Sequence, residues 1–107
     1  MALTRDVQQT IVARASADPL YAQALLQEAA TLFLNGEADL AKIILRDLVN
    51  ATVGFEQLAI QVAKPPKSVH RMLSQSGNPS MRNLAAIFQS LKDSLQVQLQ
   101  ATTLKAA

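Results

Sequence analysis

The pair Pro65-Pro66 constrains this chain more than any other feature, because a proline inside a helix removes a hydrogen bond and clashes with the preceding turn. The residues on either side nevertheless carry helical spacing. Leu58, Ala59 and Val62 fall at i, i+1 and i+4, and Val69, Met72 and Leu73 at i, i+3 and i+4, each the stripe of a buried helix face. Phe55–Ser74 therefore reads as two short helices. Ala63-Lys64-Pro65 between them is too short to cross a domain and suits a tight corner. Pro66 takes the first position of the second helix, where its missing N–H costs nothing, and its ring pushes Pro65 towards the extended conformation of an N-cap. Pro65 has no side-chain oxygen, so the first-turn N–H groups stay open, a place for a phosphate.

At about 100° per residue, Val69, Met72 and Leu73 fill one arc of the second helix. Pro66, His70, Ser74, Lys67 and Arg71 fill the other. That outward arc holds two fixed positive charges, one titratable ring and no acid, whereas a solvated helix normally mixes signs. A polyanion fits it best.

The charge balance extends the pattern. The net charge is only +2, but residues 1–53 hold four basic and six acidic groups, and residues 54–107 six basic and two acidic. From Gln57 to Lys92 there is no acid at all. Such asymmetry is an electrostatic footprint, evidence about partners rather than fold. Half the residues are apolar but only 4% are aromatic, which leaves Ala, Leu, Val and Ile to build a helical core. RNA recognition by stacking is disfavoured for the same reason: Phe55 and Phe88 are the basic region's aromatics, and both suit the core. No cysteine and a single histidine exclude a disulfide and a zinc cluster. No nucleophile–base pair, carboxylate dyad or phosphate-cradling glycine loop is legible, so a binding protein without cofactor is expected rather than an enzyme. No apolar run reaches membrane-span length and nothing at the N-terminus resembles a signal peptide, so a cytoplasmic location is expected.

Leu45–Leu91, with LRDLVNATVGF, LA, KPPKSVHRMLSQSGNP and RNLAAIFQSL, resembles the bacterial addiction-module antidote family, small antitoxin-like regulators with a repressor-type helix-turn-helix. The run PPKSVHRMLSQSGNP carries most of its specificity. The resemblance implies a dimeric DNA-binding protein with a small ribonuclease-like toxin as a further partner; two recognition helices in a homodimer imply a near-palindromic double-stranded operator, and the alternative is a protein-binding module that neutralises such a toxin without a major DNA role.

Taken in order, Thr4 is expected to cap a helix over Arg5–Ala15, with Val7, Ile11 and Val12 inward. Asp18 and Pro19 start a second helix to Leu34, so apolar around its circumference that it is either core or part of an interface. Asn35-Gly36 ends it, and Glu37–Val53 forms a third with Leu40, Ile43, Ile44 and Leu48 buried. Ser80 caps a helix to Leu91, with Leu84, Ile87, Phe88 and Leu91 inward. Leu95-Gln96-Val97-Gln98-Leu99-Gln100 alternates strictly, a strand signature, although Leu91, Leu95 and Leu99 also recur at the helical i+4. A lone strand needs a partner, so the expectation is antiparallel pairing with a second copy.

The expected architecture is thus mainly α: a repressor-like helix-turn-helix bundle of five to six helices with a short C-terminal β-strand pairing across a dimer. Residues 1–36 form an N-terminal helical extension, 37–92 the helix-turn-helix unit and 93–107 a dimerising strand or tail. Pro66, Lys67, His70 and Arg71 are the expected base readers. Lys64, Ser68, Ser74, Asn78, Ser80 and Arg82 are the expected phosphate contacts, and Leu95, Val97 and Leu99 the dimer contacts.

Overall fold

The computed structural model describes residues 5–107 and contains, among them, six helices: α1 (Arg5–Ala17), α2 (Pro19–Leu34), α3 (Ala38–Ala51), α4 (Gly54–Val62), α5 (Pro66–Met72) and α6 (Met81–Leu95). The mainly helical expectation holds. The proposed cap at Thr4 lies outside the described residues. Asp18 caps α2 as expected, its Oδ1 accepting from the Leu20 and Tyr21 N–H groups at 3.1 and 3.3 Å. Gly36, at φ +87°, ends that helix in the left-handed conformation a Cβ would strain. The Glu37 N–H then reaches the Leu32 carbonyl at 2.8 Å.

The helices enclose one core. Leu26, Leu45, Leu48, Leu58, Ile87 and Leu91 are fully buried in it, each worth about 1.5–3 kcal/mol relative to exposure. Helices α2 and α3 lie along one another, α1 packs on both, and α6 closes the assembly against α4 and α2. Ser16 at the end of α1 donates to the Ala51 carbonyl at the end of α3 at 3.0 Å, and Arg14 lies over the Tyr21 ring at 4.0 Å. Among the described residues of α1, Ala15 is the buried one; Ile11 and Val12 are half-buried, and Val7 is exposed, as is Leu40 on α3. The apolar α2 places Ala22, Leu26 and Ala29 in the core, while Leu20 and Leu34 face outward. No helix among the described residues is long and apolar enough to cross a membrane.

The C-terminus corrects the sequence reading. Lys92-Asp93-Ser94 is helical, and Leu95 is the last residue of α6 rather than a strand residue. The i+3/i+4 row of Leu84, Ile87, Phe88, Leu91 and Leu95 stays on the core side and carries the helix past Leu91. Gln96 then turns left-handed at φ +56°, with the Gln96 and Val97 N–H groups on the Asp93 and Lys92 carbonyls. Among the described residues there is no strand. The alternation is real but is used within the chain: Val97 and Leu99 are half-buried on the core while Gln96, Gln98 and Gln100 face out.

One buried position is acidic. Asp47 on α3 is 7% exposed, and burial pushes its carboxyl above the ordinary range, with Arg46 opposing the shift. The folded state therefore holds this proton more tightly than the unfolded state, so Asp47 subtracts from stability as pH rises and costs nothing once both states are protonated. Asp47→Asn is expected to be more stable than the parent at neutral pH. Its advantage, read from urea unfolding, should shrink to nothing as pH falls below the ordinary carboxylate range; an advantage independent of pH would refute the burial argument.

Candidate nucleic-acid interface

Helix α5 has seven residues, too few to persist alone. It exists because Val69 and Leu73 are buried and Met72 packs beside them. The corner before it is close to the sequence reading. Pro65 is the extended N-cap at φ −61° and ψ 147°, Pro66 the first helical residue, and no side chain caps the N-terminus. The corner's sharpness comes from Ala63, left-handed at φ +61°, a conformation that costs an L-residue roughly 1–2 kcal/mol. The Ala63 and Lys64 N–H groups satisfy the Ile60 and Ala59 carbonyls there and close the end of α4.

Of the expected base readers, Pro66, Lys67, His70 and Arg71 are all exposed. His70 has one ring face committed: it stacks on Phe55 of α4, centroids 3.8 Å apart and planes within 16°. Its outward edge and the two cations remain available.

The expected phosphate contacts form a mixed group. Lys64, Asn78 and Arg82 are exposed, and Ser68 is half-buried. The Ser74 hydroxyl donates to the Arg71 carbonyl at 2.7 Å, finishing α5. Ser80 caps α6, its Oγ accepting the Asn83 N–H at 3.1 Å. Among the described residues the one ion pair is Lys42–Asp39, so Lys64, Lys67, Arg71 and Arg82 have no carboxylate within pairing distance. The expected dimer contacts Leu95, Val97 and Leu99 are half-buried against this chain's own core. Their apolar side is therefore already covered, and a ribbon could use only the tail's backbone, which beyond Val97 makes no hydrogen bond among the described residues.

Two residues that sequence reasoning passed over hold α5 in place. Lys42 of α3 is nearly buried and donates to the Gln75 carbonyl at 3.1 Å and the Gly77 carbonyl at 2.7 Å. The signal in the sequence was a lysine embedded in the apolar run Leu40–Leu45. Gly77 lies so close to the end of α5 that a Cβ there would stand 1.8 Å from the Arg71 carbonyl oxygen and 2.7 Å from that of Met72. A glycine followed by Asn78-Pro79 reads as an ordinary loop, and only the fold reveals the contact. Gly77→Ala must push the loop off α5. It is expected to lower unfolding stability by about 2 kcal/mol, and a circular dichroism melt that matches the parent would show the contact to be unimportant.

Comparison with family models, with curated proteins and with solved structures gives no match for this chain.

Proposed function

We propose that this protein is a DNA-binding transcriptional regulator acting as a dimer, of the antitoxin type that represses its own operon. The observation that carries the reading is the outward face of α5. Lys67 and Arg71 are exposed without a carboxylate partner, on a helix fixed from behind by Val69 and Leu73. The acid-free stretch Gln57–Lys92 and the resemblance of Leu45–Leu91 to antidote regulators support it.

In this reading α5 enters the major groove. Arg71 forks onto guanine O6 and N7, Lys67 reaches the same edge, and Pro66 meets a thymine methyl. Lys64, Asn78 and Arg82 hold backbone phosphates and fix the register. Helix α6 presents Arg82 in its first turn, beside N–H groups of which Ser80 caps one. Two chains read half-sites about 34 Å apart. The second copy is met through the tail's free backbone groups, and the working location is the cytoplasm.

The neutralisation of a small basic toxin is a second role, compatible with the first. The exposed Leu20 and Leu34 on α2, beside a half-chain with an excess of acids, favour a protein partner there. Leu20→Ser with Leu34→Ser is expected to abolish co-purification with a co-expressed neighbouring toxin while leaving DNA affinity unchanged. Retention of that partner by the double variant would remove α2 as the surface.

The DNA role is tested on an operator selected from a random duplex pool. Arg71→Ala should lose about 1–3 kcal/mol of discrimination at a single base pair, whereas Arg82→Ala should weaken all sequences alike and reduce the salt slope by about one. No selection of any duplex, or the same loss pattern for both variants, would sink the assignment.

A further inference from the structure

Away from the α5 face, a groove of about 800 Å³ opens between α1, α3 and the end of α5, within the size range of small-molecule sites. Gln8 and Val12 line it from α1, Arg46, Asp47 and Asn50 from α3, and Gln75 from the loop after α5. Four charged residues line it: Asp39 and Lys42, which pair with each other at 3.4 Å, and the adjacent Arg46 and Asp47, which form no ion pair.

Asp47 is more than nine-tenths buried, lines this groove and accepts no hydrogen bond among the described residues. Its carboxylate oxygens are not sealed from solvent, so they are open to a donor that enters the groove. The helix gives no compensation, since Asp47 stands in the C-terminal half of α3, where the dipole favours cations. Arg46 is near enough to lower the Asp47 carboxyl pKa against the burial effect, yet the two form no ion pair. The groove thus presents one unpaired anion and one unpaired cation side by side, with the amides of Gln8, Asn50 and Gln75 around them and Val12 offering an apolar wall.

We propose that this groove binds a small zwitterion of the α-amino acid class, its cationic group against Asp47 and its carboxylate against Arg46. Such a molecule supplies the donor that Asp47 lacks and the acceptor that Arg46 lacks in one binding event. A purely cationic ligand would leave Arg46 opposing it. The assignment is independent of what α5 contacts.

The test uses the full chain in solution without DNA. Amide shifts are followed by NMR during titration with L-arginine, L-lysine and L-leucine and with their decarboxylated counterparts agmatine, cadaverine and isoamylamine, at matched ionic strength. The expected result is saturable movement at Gln8, Asn50 and Gln75 with at least one amino acid, at least tenfold weaker with its amine. Asp47→Asn and, on the exposed side, Arg46→Gln should each weaken it at least tenfold. No saturable binding by any of the three amino acids, or binding that Asp47→Asn leaves unchanged, would overturn the site. Equal affinity for an amino acid and its amine would overturn the zwitterion.

Discussion

The packing of Val69 and Leu73 into the core is what the rest of this structure depends on. A seven-residue helix has too few internal hydrogen bonds to offset the entropy of ordering it. Its existence and its orientation are therefore properties of its surroundings. Val69 and Leu73 fix its inner face, His70 lies flat on Phe55 at its side, and Gly77 and Lys42 hold the chain leaving it. With that much of the helix committed to the fold, only Pro66, Lys67, Arg71 and the edge of His70 are left to meet something outside.

The corner before α5 shows how the fold tolerates local cost. Ala63 takes a left-handed conformation that glycine would adopt freely, and it does so where two N–H groups close the end of α4. The same logic applies at the end of α6, where Gln96 is left-handed and lets Val97 and Leu99 fold back onto the core. Helices α4 and α6 are also joined by the Ser90 hydroxyl donating to Gln61 Oε1, near that corner.

Charge is distributed with similar economy. The α5 face is cationic without internal pairing, while Asp47 and Arg46 stand apart from it on α3. Lys42 differs from every other cation in this region because its partners are mostly backbone carbonyls. An ammonium with three donors is suited to gathering a loop, and here it gathers the one that follows α5.

Most of the helical architecture was legible in the residues. The bounds Pro19–Leu34, the caps Asp18, Pro65 and Ser80, and the buried stripes of α4, α5 and α6 all follow from residue types and spacing. These features are local, so a few neighbouring side chains suffice to reveal them. The C-terminal segment departs from its strand-like alternation because Leu95–Gln100 satisfies two periods at once, and only the presence of a core beside it decides between them. The roles of Lys42, Gly77 and Asp47 are not legible in the sequence, since Lys42 meets carbonyls 33 and 35 positions away, Gly77 abuts the end of α5 and Asp47 lines a groove. Sequence by itself settled where helices start, which side of each is apolar and which stretch carries unbalanced positive charge. The tertiary structure decided which of those charges stand free and which apolar segment is covered, because burial and pairing are relations between distant parts of the chain.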